Sequence, residues 1–403
     1  MSGMRAPSGS HRLARRASIA ATVTLGLVLA GCAPMTPPLT SAPPDSKAPA
    51  PSTSGGPVQP VGEPTVLASE LTSPWSVVRL ASGSALISER DTGVVKELEA
   101  NGTVREVGAV RGVVHRGEGG LLGIEVLGAE RLPASTDGAG DTAEDSGDSS
   151  WLYAYLTTAS DNRIVRMPLQ GGAGDYSLGT PENILTGLAS ASNHDGGRIK
   201  FGPDGMLYAT VGDASSPGNA QNPSSLNGKI LRMTPTGAVP NDNPTPGSLV
   251  YSMGHRNPQG LAWDSSGQLW AAEFGQNAWD EFNRVEPGGN YGWPTVEGIA
   301  KKQGFTDPVL QWKTSDASPS GLARVDDTFF LASLRGQRLW AIYPGTPFDS
   351  VSYFEGAYGR LRDVIPCPNG TLWMLTNNTD GRGTPQHGDD RLLEVRLGPL
   401  VEG

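Results

Sequence analysis

Short apolar runs alternate with polar residues at period two along the chain from about Leu71 onward. No long stretch carries apolar residues at helical spacing. In "SPWSVVRLASGSALISERDTGVVKEL" a strand pattern is followed by a small-residue turn, a second strand, a polar loop and a third strand. The same order returns in "GLLGIEVL…WLYAYLTTASDNRIVRMPL" and in "GRIKFGPDGMLYATVGD…GKILRM". It returns again in "PQGLAWDSSGQLWAAEFG…DEFNRVEPG", in "PSGLARVDDTFFLASLRGQRLWAIYP" and in "LRDVIPCPNGTLWMLTNN…RLLEVRL", which makes six copies. Each copy places a Gly-containing turn between a short apolar strand and a strand built on Leu, Tyr or Trp. Six units over a body of about 340 residues give roughly 57 residues each, close to a four-stranded blade. The pattern predicts an all-β fold, a six-bladed β-propeller of four-stranded antiparallel blades. A two-sheet sandwich would leave the sixfold repetition without a cause.

The 54 glycines and 33 prolines suit many short strands joined by turns. One insertion, residues 128–150, is acidic and rich in Gly and Ser. It reads as a mobile surface loop without an assigned role. Ahead of the repeats, Arg5, Arg12, Arg15 and Arg16 precede "ASIAATVTLGLVLAG", an apolar stretch too short to span a bilayer comfortably. That stretch ends in Leu29-Ala30-Gly31-Cys32, which resembles the lipobox of bacterial lipoproteins. The resemblance implies removal of residues 1–31 and a lipid on Cys32. Residues 32–63 then read as the lipidated cysteine and a disordered tether, with nine prolines between Ala33 and Glu63 and little to bury. The propeller is expected over 64–403, held at the outer face of the cell membrane by the lipid alone.

Without the four leader arginines the formal charge of −10 becomes −14, and no basic run remains. That balance argues against nucleic acid and against electrostatic adsorption to anionic lipid. The remaining cysteines, Cys32 and Cys367, provide no disulfide framework.

In a propeller, equivalent loops of successive blades meet at one end of the central channel, so polar residues recurring just before each first strand can converge. At those places stand Glu118 in "GEGGLLG", His194 in "NHDGGR", and Arg256, Asn257 and Gln259 in "GHRNPQGLAW". Thr314 in "QWKTSDASPSG" and Arg360 and Arg362 in "GRLRDV" complete the ring. Charge, amide and imidazole at positions that ordinarily hold small turn residues point to a site. Arg360 and Arg362 alternate along a strand and so face the same side. Trp75, Trp263, Trp270, Trp293, Trp340 and Trp373 read as blade core, and His115 and His255 as turn residues.

These motifs resemble the soluble quinoprotein sugar dehydrogenases, six-bladed propellers that hold pyrroloquinoline quinone (PQQ) and calcium and oxidise aldoses. The resemblance runs from about Leu71 to Leu397. It is most specific in "NHDGGRIKFGPDGMLYATVGD", "GHRNPQGLAW", "EFGQNAWDE…GGNYGWP" and "RLRDVI.CPNGTLW". It implies that His194 is the general base for the anomeric hydroxyl, with Asp213 orienting it. It implies that Arg256 stands beside the quinone oxygens, and that Asn257, Gln259 and Thr314 contact the cofactor. By the same likeness Arg360 and Arg362 grip the PQQ carboxylates, and backbone carbonyls at Phe274-Gly275-Gln276, with Gly275 and Gln276 as metal ligands, hold Ca2+.

Three positions depart from the sugar-oxidising members. Glu118 stands at a glutamine, Gln276 at a proline, and Arg335 at a lysine that contacts the cofactor. The shortness of the other blade loops implies an open site and a broad range of aldose substrates, with an external electron acceptor that the chain does not name. Two other classes compete. One is a lactonase-type hydrolase, whose channel calcium would need side-chain carboxylates and asparagines. The other is a non-catalytic ligand-binding propeller.

Overall fold

The computed structural model describes residues 55–131 and 149–401. The leader, Cys32, the first part of the proline-rich stretch and most of the 128–150 insertion lie outside the described residues. Six antiparallel sheets follow one another along the chain, as the repeats require. Blade I is Pro74–Arg79, Ala85–Glu89, Val94–Leu98 and Val104–Ala109. Blade III is Ile199–Phe201, Leu207–Val211, Lys229–Met233 and Val250–Met253, and blade IV spans Pro258–Trp263 to Leu310–Lys313. Blade II carries a two-residue fifth strand, Ser177–Leu178, paired with Asn162–Gln170. Among the described residues helix is confined to one turn, Gly218–Gln221.

The sixth blade joins the two ends of the body. Leu361–Cys367, Thr371–Thr376 and Leu392–Pro399 come from the C-terminal end, and the outer strand is Val58–Ala68 from the N-terminal end. The propeller therefore starts before Pro64, inside the stretch that reads as tether. Pro60 and Pro64 hide this strand in the sequence, yet they are compatible with it, because an outermost strand has one edge where no N–H partner is needed.

Six apolar clusters lie between neighbouring blades. Leu80, Leu86 and Val95 of blade I pack with Leu121, Val126 and Leu152 of blade II. Equivalent clusters join II to III, III to IV, IV to V, V to VI, and VI back to I. The core is thus a closed ring of sheet-to-sheet interfaces. First strands of successive blades adjoin around the channel. Gly260 permits one such approach, since a Cβ there would lie 2.4 Å from the Ser320 carbonyl oxygen.

Register decides which loops share a face. Pro74 pairs with Glu89, Pro258 with Glu273, Pro319 with Ser333, and Leu361 with Thr376. The start of each first strand therefore sits at the end of its second strand. The loops entering first strands and the loops joining second to third strands emerge together at one end of the channel.

Candidate active site

On that face the Asp213 carboxylate is fully buried and takes three donors. His194 Nδ1 lies 2.8 Å from Oδ1, the Ser215 N–H donates to Oδ1 at 2.7 Å, and the Trp293 indole N–H donates to Oδ2 at 2.8 Å. An ionised carboxylate only accepts, so His194 carries its proton on Nδ1 and leaves Nε2 as a free acceptor. His194 adopts a left-handed backbone, φ +64°, which costs a non-glycine residue free energy. Two bonds hold it there: its N–H donates to Glu118 Oε2 at 2.9 Å, and its carbonyl accepts the Ala214 N–H at 3.1 Å. Arg256 lies over the Trp293 ring, 5.6 Å from its centroid, and donates through Nε to Gln276 Oε1 at 2.8 Å. Its backbone N–H donates to Glu273. Burial pulls the Arg256 pKa below its ordinary value.

Beside this cluster is a cavity of about 330 Å3, lined by Trp75, Glu118, Gln259, Phe274, Ser318, Leu334 and the four arginines 335, 360, 362 and 382. Two of the arginines are paired. Arg360 donates to Asp380 Oδ2 through Nε and Nη2 at 3.2 and 2.9 Å, and Arg382 donates to Glu118 Oε1 at 2.6 Å. Arg362 instead meets neutral acceptors: Asn377 Oδ1 at 3.1 and 3.2 Å, and Gln259 Oε1 at 2.9 Å. Asp380 is only a loose 3.8 Å contact. Burial, reinforced by Arg90 and Arg360, pushes the Arg362 pKa down to about 9 against the pull of Asp380. Arg335 is exposed to the cavity with no carboxylate in ion-pair reach among the described residues. Burial works to raise the Glu118 pKa, but the Arg382 charge and the His194 N–H outweigh it and hold the carboxyl below its ordinary range. The extra negative charge read from the sequence at position 118 is therefore neutralised.

Two amides stand at the cavity, Gln259 in its wall and Asn257 behind it. Asn257 Oδ1 accepts the Gly196 N–H at 3.0 Å, and Gln259 Oε1 is taken by Arg362 and Ser320. Their carbonyl ends are fixed, which leaves both NH2 groups as donors. His194, Arg256 and Asn257 adjoin the cavity rather than line it: two lining residues touch them, Glu118 by accepting the His194 N–H and Phe274 by bonding to the Asn257 carbonyl and to Arg256. Thr314 does not line the cavity; its carbonyl accepts from Ser318, which does, at 3.4 Å. Gly275 and Gln276 sit on the loop after the second strand of blade IV. A Cβ on Gly275 would lie 1.7 Å from the Trp279 carbonyl oxygen, so only glycine fits.

Several functional residues escape a search of first-strand loops. Asp380 and Arg382 lie in the loop after the second strand of blade VI, and Glu297 lies in a long excursion of blade IV. The Asn-Asn-Thr-Asp-Gly-Arg run after "TLWMLT" was their available signal. Trp75 packs in an apolar core cluster, as expected, and also borders the site, while Trp293 donates to Asp213 rather than packing as plain core. Trp75 lines the cavity and receives Arg198 and Arg362 over its ring at 4.4 and 5.6 Å. His255 is no turn residue either: it is fully buried between Ser252 and Glu273, at 2.8 and 2.7 Å, and stacks on Tyr291. Exposed His115 keeps its turn role, 3.0 Å from the Gly119 carbonyl oxygen.

Fold and site together define a six-bladed propeller with a His–Asp pair and an arginine-rich cavity at one channel mouth. The family model described as Glucose / Sorbosone dehydrogenase matches residues 71–384, and the chain belongs to that family. It is 46% identical to aldose sugar dehydrogenase of Streptomyces coelicolor, whose structure is of the PQQ-bound form. That match covers 86% of this chain and 99% of the other, with a TM-score of 0.76. Quinoprotein glucose dehydrogenase B of Acinetobacter calcoaceticus is 30% identical over 277 residues, 60% of this chain and 54% of its own length. An aldose sugar dehydrogenase of Escherichia coli (strain K12) is 28% identical over 78% of this chain and 90% of its own.

One titration should be visible next to His194. Asp195 Oδ1 accepts from Asn162 at 2.8 Å and from the Ala191 N–H at 3.2 Å, while buried Oδ2 has no partner. Burial raises the Asp195 pKa to about 6 from an ordinary 3.8. The folded state then holds a proton that the unfolded chain has released, so this group's contribution to stability falls as pH rises from about 4 to about 6. Asp195→Asn should gain roughly 1–3 kcal/mol relative to wild type between about pH 4 and about pH 7 in urea unfolding. A difference that does not move with pH would mean that Asp195 is already ionised in the fold.

Proposed function

We propose that the protein is a PQQ- and calcium-dependent aldose dehydrogenase that converts the anomeric C–OH of a sugar to the lactone and passes two electrons to an external acceptor. The observation that carries this reading is the cavity's charge. Four arginines line it against two carboxylates: Arg382 takes Glu118, Arg360 takes Asp380 at 2.9 Å and leaves buried Arg362 only a 3.8 Å contact with it, and Arg335 has no carboxylate in ion-pair reach among the described residues. A planar tricarboxylate satisfies Arg335 and Arg362, and guanidinium forks match carboxylates two bonds at a time. The NH2 groups of Asn257 and Gln259 add donors for the same acceptor-rich ligand. PQQ, when bound, supplies the two-electron acceptor that takes the C1 hydride.

The chain's residues supply the rest. His194 Nε2, the ring's free acceptor, takes the anomeric hydroxyl proton. Asp213, fixed by the Trp293 and Ser215 N–H groups, stabilises the imidazolium that results. Arg256, held over Trp293 and by Gln276, places positive charge on the same side as His194, where negative charge develops during reduction. Calcium would be held by the carbonyl oxygens of Gly275 and Gln276 and would act there as a Lewis acid. Among the described residues no group of three or more His, Cys, Asp or Glu side chains could hold a metal ion, so a hard cation here depends on carbonyl oxygens. The same donor set gives no support to a hydrolase built on side-chain calcium ligands.

Titration of the purified chain with PQQ, with and without Ca2+, followed by an aldose and an artificial electron acceptor, tests the reading. Tight calcium-dependent binding and bleaching of the oxidised quinone by sugar are expected. No PQQ binding would overturn the assignment. His194→Gln should keep cofactor affinity within a few-fold while turnover falls about 10²–10⁴-fold. Full activity in that variant would remove His194 from the chemistry.

The leader and the Leu-Ala-Gly-Cys motif further support export and lipidation at Cys32. Cells fed labelled palmitate should label the wild-type chain and not Cys32→Ser. Equal labelling of both would refute the anchor.

A further inference from the structure

The loop that would hold calcium has no rigid framework of its own: Gln276, Asn277 and Ala278 are exposed. It is fixed by two carboxylates. The Gly275 N–H donates to Asp280 Oδ1 at 2.8 Å. The next four N–H groups, of Gln276, Asn277, Ala278 and Trp279, all donate to Glu297 Oε1, at 2.7, 3.1, 3.1 and 3.2 Å. A run of N–H groups converging on one point is a nest of the kind that elsewhere receives a free anion. Here the chain fills the nest with its own side chain.

The opposite side of the loop follows from peptide geometry. These peptides are trans, so each C=O points away from the N–H of its own unit. The carbonyls of Gly275, Gln276, Asn277 and Ala278 are therefore turned away from Glu297, and none accepts a hydrogen bond from a described residue. An anion on the N–H side also polarises each peptide and makes its oxygen a better donor to a cation. Gln276 extends the link, because its side chain receives Arg256 Nε. A proline at 276, as in the sugar-oxidising members that the chain resembles, would have no N–H for this bond.

We propose that Glu297 is the positioning residue of the calcium site: its carboxylate gathers the four N–H groups and thereby presents the loop carbonyls to the ion. The proposal rests on reading Gly275 and Gln276 as calcium ligands. Glu297→Gln keeps the shape and one acceptor oxygen but loses the charge, and Glu297→Ala loses both. Calorimetric titration of CaCl2 into the chelator-stripped full chain, with PQQ at saturation, should show about 10–100-fold weaker calcium binding for Glu297→Gln and a larger loss for Glu297→Ala. In EDTA both variants should still unfold in one cooperative transition, which separates lost affinity from lost fold. Should Glu297→Ala fail to fold, the near-isosteric Glu297→Gln decides the question. Equal affinity in the variants and the wild type would overturn the role of Glu297 and leave the calcium reading intact. No calcium binding by the wild type would overturn both.

Discussion

Positive charge in excess of its carboxylate partners at one end of a closed ring is the constraint on which the site depends. A propeller channel is narrow, so a guanidinium buried at its mouth, as Arg360 and Arg362 are, loses much of its water. Arg90, Arg198, Arg360 and Arg382 each have a carboxylate, in Asp91, Asp363, Asp380 and Glu118. Arg362 reaches Asp380 only at 3.8 Å, Arg335 has no carboxylate in ion-pair reach among the described residues, and the carbonyl ends of Gln259 and Asn377 are spent on Arg362. What remains facing the cavity is donors. Such a wall selects a ligand that is anionic and rich in acceptors, and it does so before any particular cofactor is considered.

The rest of the structure keeps that wall and the neighbouring His194 in fixed relation. Inter-blade apolar clusters lock each sheet to the next, and the sixth blade locks the chain's two ends to each other. The loops stand on strand ends whose register is set by those sheets. Trp293 is the hinge between the two halves of the chemistry, as it donates to Asp213 on one side and carries Arg256 on its face. Glu118 does the same at the cavity edge: one oxygen holds the backbone of His194 and the other neutralises Arg382. These are single side chains that couple the His194–Asp213 pair to Arg256 and to the arginine-lined cavity, and neither pairing is local in sequence.

The sixfold repeat was legible because period-two alternation and Gly-containing turns recur with each blade. The ring of first-strand loop residues was legible for the same reason, and His194, Gln259, Arg360 and Arg362 fall where the pattern puts them. Two things were not. Val58–Ala68 carries Pro60 and Pro64 and only weak alternation, and its strand character comes from the partner Leu392–Pro399, more than 300 residues away. Asp380, Arg382 and Glu297 lie in loops after second strands or in long excursions. There, composition does not separate a residue that faces the channel from one that faces solvent. Trp75 is core as read, but its second face on the cavity, and the indole donor of Trp293, escaped because a sequence pattern does not distinguish a packed ring from one that also serves a site.

The central claim is that His194 removes a proton while C1 gives up hydride at this cavity. The most direct measurement is the rate of quinone bleaching in a single turnover of the PQQ- and calcium-loaded chain, comparing an aldose with the same aldose deuterated at C1. A slower deuterated reaction in the wild type, and loss of bleaching with either sugar in His194→Gln, is the predicted result. Bleaching at the same rate in His194→Gln, with the isotope effect intact, would contradict it.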